Sequence, residues 1–456
     1  MIISLICLLI GCHSEPLQEN ISVKIRVFDN EERTMSLVSG SKLSDAISDV
    51  EISKLLGEVD YISTVNDNVE DKSFILKDGD YIKIYKQGVG TEADPLAIGS
   101  GSDFISAIKE GKSVIFVSDI SIPADTWFGD TFVGALDGKG FKLIIEEPPM
   151  DVKYQSKSEF ALFNEFNGTI KNLDYHTNGM KGIIFIGYEN LNFENVDTYG
   201  EMNAADTNIG PYVIFLNAKT SFKNCNNYAN IIDRMGGNHY GAAFVGGYMN
   251  LNDTSNSEVT FENCNNYGVL SFGQNAALLI GNPSKYKAEN VKVSNCGNYG
   301  TIQAFENVGV NNWTDSSDLT SINKNGGSIK KIKNTITSFS VTADGKTNID
   351  NESVKYLLQF NISFKVKGEN TVSGNRNMTI EGSLNESGNL PSSVSMTEEK
   401  DKHCTIDEKN TLLVYPYAYD FTEEENDFSS ISKLTYYAVE YDADGLLVGS
   451  AIYKQK

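Results

Sequence analysis

The stretch FENCNNYG, Phe261–Gly268, decides the fold of this chain because it returns three more times in altered form. The other copies are FENVDTYG from Phe193, FKNCNNYA from Phe222 and VSNCGNYG from Val293. Apolar segments rich in small residues lie between the copies: PYVIFLNA, YGAAFVGGY and NAALLIGNP. Self-similarity at a period of about 20–50 residues is typical of a stacked array. Each repeat therefore predicts strand, turn and strand, which together form one coil of a solenoid.

Stacking of coils explains the residue types in the repeat. Coils stack at the strand spacing of about 4.8 Å, so equivalent positions lie directly above one another. Asparagine tolerates the left-handed backbone of a sharp corner, and stacked amides donate to and accept from one another. We predict three columns: an inward apolar column of Phe193, Phe222, Phe261 and Val293, an asparagine ladder of Asn195, Asn224, Asn263 and Asn295, and a stack of Tyr199, Tyr228, Tyr267 and Tyr299. Gly200, Gly268 and Gly300 suit a further left-handed corner.

Three cysteines share one column of the alignment: Cys225, Cys264 and Cys296. The first copy carries Val196 at that position, so the column accepts a plain hydrophobic residue. We predict free thiols that pack as small apolar side chains. A disulfide or metal site is the alternative, although three stacked thiols without a histidine give no tetrahedral ligand set. No metal and no cofactor is predicted.

The region before the repeats supports the same fold. DFISAIKEGKSVIFVSDI, from Asp103, indicates a helix followed by a strand, and FVGALDGKGFKLIIEE, from Phe132, indicates two strands around an Asp-Gly turn. Together with the repeats, this succession resembles right-handed parallel β-helix proteins of the pectin-lyase type, in which an amphipathic helix caps the first coil. The resemblance implies a parallel β-helix over residues 98–330.

Two further domains are predicted on either side of the coil. Residues 21–88 show the order β-β-α-β-β and end in DGDYIKIY, which resembles the β-grasp (ubiquitin-like) fold. The helix of that unit is expected to start at a serine cap in SKLSDAIS. Residues 334–456 alternate apolar and polar residues in six or seven segments without helices, which resembles an antiparallel Ig-like β-sandwich. The predicted fold class is mainly β, with a central β-helix between these two domains.

The first residues, MIISLICLLIGCHSE, have the apolar core of an export signal. The phrase Leu9-Ile10-Gly11-Cys12 resembles the lipobox of bacterial lipoproteins, where the signal is cleaved before the cysteine and the thiol carries a lipid. The resemblance implies a signal peptide over residues 1–11, a tether over residues 12–20 and lipidation of Cys12. The chain would then be anchored to a membrane of the bacterial cell envelope and exposed at the surface. An ordinary signal peptide is the alternative.

The charge of the chain excludes one class of partner. The sequence has 61 acidic and 38 basic residues, for a net charge of −23. Such a surface repels phosphate backbones, and no dense cluster of Lys or Arg counteracts it. We therefore expect no nucleic acid partner.

An enzyme is the alternative to a binding protein, because β-helix proteins include polysaccharide lyases and glycosidases. The residues that could serve such chemistry are Asp206, Asp233, Arg234 and His239. An ordinary loop ion pair between Asp233 and Arg234 explains two of them, and no catalytic motif accompanies them.

The sequence thus predicts a non-enzymatic, lipid-anchored binding or adhesion protein. Its β-helix would be a rigid scaffold and the contact surface for a glycan or a host or cell-surface protein. An outward row of tyrosines would offer flat faces to sugar rings or to a protein ligand. An inert spacer in an envelope assembly stays open as a third interpretation.

Overall fold

The computed structural model describes a mainly β protein, which confirms the predicted fold class. It describes residues 19–146, 161–177, 179, 181–203, 208–233, 240–248, 258–282, 290–309, 322–324, 326–333, 336–350, 353–366, 370–383, 395–398, 404–405, 411–421, 431–442 and 446–454. The predicted signal peptide and Cys12 lie outside these ranges. The chain divides into two compact units, residues 1–107 with 112–120 and residues 108–111 with 121–456. The boundary between the two units falls within residues 98–330, the range predicted for the β-helix.

The first unit begins with a small mixed sheet. Its elements are β1 Asn20–Val27, β2 Arg33–Val38, α1 Leu43–Ile47, α2 Val50–Leu56, β3 Tyr61–Val65, β4 Asn68–Val69 and β5 Tyr81–Lys86. The sheet order is β2-β1-β5-β3-β4, with β1 parallel to β5 and the other pairs antiparallel. This is the strand arrangement expected of a β-grasp-like domain. Residues of β1 alternate between exposed and buried, and their apolar side chains pack onto both helices.

Helix α1 differs in detail from the prediction. Leu43, Ala46 and Ile47 are buried, as their helical spacing indicates. The N-cap is Lys42 rather than a serine. The Asp45 carboxylate accepts a hydrogen bond from the backbone N–H of Lys42 at 2.7 Å. After β5 the first unit continues with β6 Leu96–Ile98, α3 Gly101–Lys109 and β7 Val114–Phe116, and β6 pairs in parallel with β7.

The second unit contains the coil, whose strands pair in parallel. They are β8 Ile120–Pro123, β9 Phe128–Asp137, β10 Lys142–Glu146, β11 Ala161–Thr177, β12 Gly182–Asn203, β13 Val213–Lys223, β14 Asn226–Asn227, β15 Asn230–Ile232, β16 Tyr240–Ala242, β17 Val245–Tyr248, β18 Val259–Glu262, β19 Asn265–Asn266, β20 Val269–Phe272, β21 Asn275–Ala277, β22 Ile280–Asn282, β23 Val291–Ser294, β24 Gly297–Asn298, β25 Thr301–Ala304, β26 Asn307–Gly309 and β27 Ser328–Lys331.

The register of the coil follows the repeat. Phe193 lies beside Phe222, Phe222 beside Phe261, and Phe261 beside Val293. Similar residues therefore stack layer upon layer along the coil axis, which is the geometry of a β-helix. The side chains of the three phenylalanines are almost fully buried and form the core of the coil.

The rest of the second unit is antiparallel. One four-stranded sheet contains β28 Ile336–Asp350, β29 Ser353–Val366, β30 Asn370–Ser383 and β31 Ser395–Glu398. The other contains β32 Cys404–Thr405, β33 Thr411–Phe421, β34 Ile431–Tyr441 and β35 Leu447–Lys454. Two antiparallel sheets are what the predicted sandwich requires. In the part of the chain that the structure describes, no helix is both long and apolar enough to span a membrane.

Candidate binding surface

The core of the coil holds its outer surface in a fixed register. The Phe193 and Phe222 rings stack with centroids 5.0 Å apart, and the Phe222 and Phe261 rings stack at 4.8 Å. Tyr212 and Phe244, from the apolar segments between repeats, pack against this stack. Val293, the predicted last member of the column, is 36% exposed, because it lies in the last copy of the repeat.

The corner asparagines are Asn172, Asn195, Asn224, Asn263 and Asn295, all with a left-handed backbone at φ between 50° and 54°. Four of them form a ladder in which the Nδ2 groups of Asn195, Asn224 and Asn263 each donate to the asparagine Oδ1 of the preceding coil. The donor–acceptor distances are 2.9 Å from Asn263 to Asn224, 3.0 Å from Asn224 to Asn195, and 3.0 Å from Asn195 to Asn172. The ladder ends on a buried carboxylate, because Asn172 donates to Asp137 at 3.0 Å.

A second ladder runs through the coil interior, formed by the buried asparagines Asn227, Asn266 and Asn298. Asn227 donates to Asn266 at 2.8 Å, Asn266 to Asn298 at 2.8 Å, and Asn298 to Asn323 at 3.0 Å. Each of the three amides also donates to a carbonyl two residues further along its own chain. Thr198 begins the ladder by donating to Asn227. The donors of this ladder point toward the following coil, opposite to those of the corner asparagines.

The aromatic row consists of His176, Tyr199, Tyr228, Tyr267 and Tyr299, and it lies on the outside of the coil. Neighbouring rings are within 12° of parallel, with centroids 4.7, 4.9, 4.7 and 4.8 Å apart in that order. The last three tyrosines are 38, 41 and 37% exposed. Because strand residues alternate between faces, Asn266 points inward while its neighbour Tyr267 points outward.

The row presents ring edges and hydroxyl groups to solvent rather than ring faces. Tyr199, Tyr228 and Tyr267 each lie between two other rings of the row. At such centroid distances no further ring fits between neighbours. The expectation that an outward tyrosine row offers flat faces is therefore wrong for these three residues.

A flanking row lies two residues before the aromatic row on the same outer face: Asp174, Asp197, Asn226, Asn265 and Gly297. Asn226 donates to Asp197 at 2.9 Å, and Asn265 donates to Asn226 at 3.1 Å. On the other side of the aromatic row lie Glu201, Asn230, Val269 and Thr301. The surface is thus acidic in its first coils, whereas these positions carry no carboxylate in the later coils and the Lys324 side chain lies over Gly297. Lys142 is in register with Asp174 at the acidic end.

This environment shifts the ionisation of the surface. Burial, followed by the nearby carboxylates of Asp174 and Asp197, raises the pKa of Tyr199 well above its ordinary range. Burial also raises the pKa values of Tyr228 and Tyr267. Burial raises the pKa of Asp197, although hydrogen bonds from Asn226 oppose that shift. Tyr199, Tyr228 and Tyr267 therefore remain neutral hydrogen-bonding groups at physiological pH.

The cysteine column is buried, and all three thiols are free. Burial raises the pKa of Cys264, and contact with the Cys264 thiol together with burial raises that of Cys296. The thiolate, which is the nucleophile and metal ligand, is thus disfavoured. Within the described ranges, His, Cys, Asp and Glu side chains form no group of three or more that could hold a metal ion.

Of the residues considered for enzyme chemistry, only Asp233 lies in the described part of the chain. Asp206, Arg234 and His239 fall outside it. The Asp233 side chain is fully buried and accepts the backbone N–H of Gly273 at 2.9 Å. Its carboxylate therefore binds the backbone of the next coil, which is a structural contact.

Sequence reasoning missed a coil and gave the wrong reason for Gly268 and Gly300, which lack a positive φ and are required by close backbone approach. Residues 170–176, IKNLDYH, form a further copy of the repeat that lacks both the cysteine and the final tyrosine. Its sequence signals were Asn172 and Asp174, which match Asn195 and Asp197 of the next copy. Gly200 has the expected positive φ of 103°, whereas Gly268 is required by close approach. A Cβ at Gly268 would lie 2.0 Å from the Ala229 carbonyl oxygen.

Comparison with known proteins gives one distant similarity. No protein-family profile matches the chain, and no curated protein matches it. A crystal structure from Bacteroides ovatus, titled "a putative immunoglobulin A1 protease", is 16% identical, with a TM-score of 0.32. The match covers 54% of this chain and 86% of that one. A likeness at this level carries no argument about function.

Proposed function

We propose that this chain is a non-enzymatic binding or adhesion protein that uses the aromatic row of its coil as the contact surface. One observation supports this above the others: an unbroken line of stacked rings lies on the outside of the coil, with its later tyrosines 37–41% exposed. Tyrosine is enriched at protein interfaces because it combines apolar area with a hydrogen-bonding tip.

The rigidity of the row favours a binding role. Its tyrosines alternate with the buried asparagines, whose ladder fixes the height of each coil. The row therefore enters a complex with little loss of side-chain entropy, because each ring already stacks on its neighbours. A preorganised surface of this kind binds with a small ordering cost.

The orientation of the rings favours a protein over a glycan as the partner. Sugar rings stack on aromatic faces, and the faces of Tyr199, Tyr228 and Tyr267 are covered by neighbouring rings. Ring edges and hydroxyls suit the side chains and backbone of a protein surface. The acidic end of the row, with Asp174 and Asp197, disfavours anionic polysaccharides.

A lipid anchor at Cys12 completes the proposal. The lipobox-like phrase Leu9–Cys12 supports a bacterial envelope lipoprotein with its domains exposed at the cell surface. Expression in a bacterium fed radioactive palmitate is expected to label the chain, and Cys12→Ala is expected to abolish the label. Continued labelling of the variant would exclude this anchor.

The binding proposal is tested on the full chain carrying Cys12→Ala, so that no lipid interferes. The protein is screened against a glycan array and a panel of purified host and bacterial surface proteins. Any ligand found is expected to lose affinity for the double variant Tyr228→Ser and Tyr267→Ser. The matched control is Val133→Ser, because Val133 is a 62% exposed apolar residue of the coil outside the row. Equal losses for both variants, or binding unaffected by the row, would contradict the proposal.

The same preparation tests the enzyme alternative. Release of unsaturated or reducing sugars from polygalacturonate and host glycans is measured over time. We expect no release above background. Turnover that Arg234→Ala abolishes would overturn the binding proposal in favour of a carbohydrate-active enzyme.

A further inference from the structure

The aromatic row has the same axial repeat as the backbone that carries it. Its ring centroids are 4.7–4.9 Å apart, and stacked strands repeat at about 4.8 Å. A long partner makes the same contact at each layer only when its own repeat matches this spacing. A second copy of this chain matches it by construction, since its row has the same spacing.

Stacked identical side chains are also the kind of surface that pairs with another such stack. In cross-β assemblies, in-register rows of one sheet pack against rows of a second sheet in a dry interface, and stacked aromatics contribute to it. The flanking row is suited to burial. Asn226 and Asn265 already donate within their own ladder, so covering them leaves few polar groups unpaired.

The charge along the surface selects the direction of pairing. Asp174, Asp197 and Glu201 flank the first part of the row, with Lys142 in register with Asp174. The last part has no flanking carboxylate, and the Lys324 side chain lies over Gly297 at its end. Two rows running in the same direction would place carboxylates against carboxylates, which is unfavourable when they are desolvated. Two rows running in opposite directions place the acidic end of each copy against the end of the other that lacks carboxylates and carries Lys324.

We propose that the aromatic row is a homotypic interface, in which two copies of this chain pack side by side with their rows antiparallel about a two-fold axis. Tyr228 is the middle residue of the row, so it lies beside Tyr228 of the second copy. Tyr199 then lies against Tyr267, and His176 against Tyr299. The inference rests on the proposed function, since it takes the same row as the contact surface and names the partner as a second copy. A two-fold interface of this kind is self-complementary and closes at the dimer.

The size of the surface indicates a weak contact. The row is about 19 Å long, or four strand spacings, and stable interfaces bury about 800 Å² on each partner. A single pair of copies therefore dissociates readily in solution. Many copies anchored in one membrane would bind a facing layer through multivalency, which converts weak contacts into firm adhesion.

Sedimentation of the full chain with Cys12→Ala over a wide range of concentrations tests the proposal. The expected result is a concentration-dependent shift from monomer to dimer. Tyr228→Ser should weaken dimerisation by roughly tenfold or more, because the substitution acts on both copies at the centre of the interface. Val133→Ser should leave it unchanged. A monomer at every concentration, or a dimer that Tyr228→Ser does not weaken, would overturn the inference.

A charge-exchange experiment tests the antiparallel geometry. Tyr267→Asp and Tyr199→Lys should each reduce self-association of the chain that carries it. When the two variants are mixed, the lysine of one copy meets the aspartate of the other, and a mixed dimer should form more tightly than either variant alone. In a parallel arrangement the two substituted positions never meet. Absence of this rescue, with both variants shown to be folded by circular dichroism and urea unfolding, would contradict the antiparallel interface.

Failure of this inference is distinguishable from failure of the proposed function. If the chain stays monomeric while a ligand from the screen depends on Tyr228 and Tyr267, the row is a binding surface for another molecule and the homotypic interface is wrong. If the chain dimerises through the row, the homotypic interface stands whether or not the screen finds a further ligand.

Discussion

The corner asparagines and the buried asparagines form two ladders of the same residue in the same repeat, yet they differ in burial. Asn263 and Asn266 are three residues apart, and both stack between equivalent asparagines of neighbouring coils. The Asn263 side chain is partly exposed, whereas Asn266 is fully buried. Water replaces a lost partner only in the outer ladder, so the same hydrogen-bond geometry contributes differently to stability. Burial, more than stacking, decides what each ladder contributes.

The two ladders also differ in where they end. The corner asparagines donate toward the first coil and finish on Asp137, which also lies 3.4 Å from Lys139 and 3.6 Å from Lys171. The buried asparagines donate in the other direction and finish on Asn323. A one-way chain of amides needs an acceptor at its end, and the outer ladder ends on a carboxylate.

Of the substitutions in the two ladders, Asn266→Ala is expected to lower the free energy of unfolding most. The substitution removes the acceptor of Asn227 and the donor to both Asn298 and the Gly268 carbonyl inside the coil. Buried groups without partners cost about 1–3 kcal/mol each, so we expect a loss of about 3–4 kcal/mol in unfolding free energy. Urea unfolding followed by circular dichroism measures it. A loss below about 1 kcal/mol would contradict a dry inner ladder.

Asp137→Ala is expected to cost about 2–3 kcal/mol, because it removes the charged acceptor at the end of the outer ladder. Asn172 and the backbone N–H of Lys139 lose their partner, and two lysines lose the nearby carboxylate. Asp137→Asn serves as the control, since it keeps an acceptor but removes the charge, and it should cost less. Equal losses for both variants would show that a neutral acceptor at this position contributes nothing, which would contradict its role as the end of the ladder.

Asn263→Ala is expected to cost about 1–2 kcal/mol, less than Asn266→Ala. Asn224 loses its donor at a partly exposed position, and alanine must adopt the left-handed backbone at φ 54°. Asn263→Gly separates these contributions, because glycine adopts positive φ freely. The same urea measurement checks both variants. A cost for Asn263→Ala equal to that for Asn266→Ala would erase the difference between the ladders.

The aromatic row predicts a loss of stability at high pH. Folding raises the pKa values of Tyr199, Tyr228 and Tyr267 above about 10, the value of a phenol in an unfolded chain. Their contribution is fully present below pH 10 and is lost as the pH rises through the folded-state values. The urea midpoint of unfolding is measured between pH 8 and about 12. It should fall less steeply with rising pH for the double variant Tyr228→Phe and Tyr267→Phe than for the wild-type chain. The same dependence of the urea midpoint on pH in both proteins would contradict the raised pKa values of these tyrosines.

Cys264→Val is expected to change the free energy of unfolding least. Val196 and Leu173 occupy the same column in earlier coils, so the site accepts an apolar side chain of similar volume. We expect a change in unfolding free energy below about 1 kcal/mol. The wild-type thiols should react with Ellman's reagent only after unfolding, because they are buried and protonated. Rapid reaction in the folded state would contradict a closed core.

Much of the fold could be predicted from the repeat, because in-register stacking follows from self-similarity alone. The alignment placed the three cysteines in one column and the four tyrosines in another. The sequence alignment did not lead to the prediction of the buried asparagine ladder, although the alternation of strand residues indicates it. Counting by twos from the inward Cys264 places Asn266 on the same inward face.

The character of the binding surface could not be predicted. The sequence indicates that the tyrosines stack. It does not indicate that their ring edges rather than their faces are exposed, because that depends on how the rings pack against one another. The asymmetry of charge along the row was equally hidden, because it depends on coils whose residues differ from the consensus. Asp174 belongs to a copy of the repeat that lacks both the cysteine and the final tyrosine.

Hydrogen exchange of the asparagine side-chain amides tests the central claim most directly. The chain is labelled with ¹⁵N at asparagine Nδ2, and exchange into D₂O is followed by NMR. The amides of Asn227, Asn266 and Asn298 should exchange only through global unfolding, and those of Asn195, Asn224 and Asn263 should exchange much faster. Each signal is assigned from a single asparagine-to-aspartate variant. Exchange of both sets at the same rate would contradict a coil in which one ladder is sealed from water and the other is not.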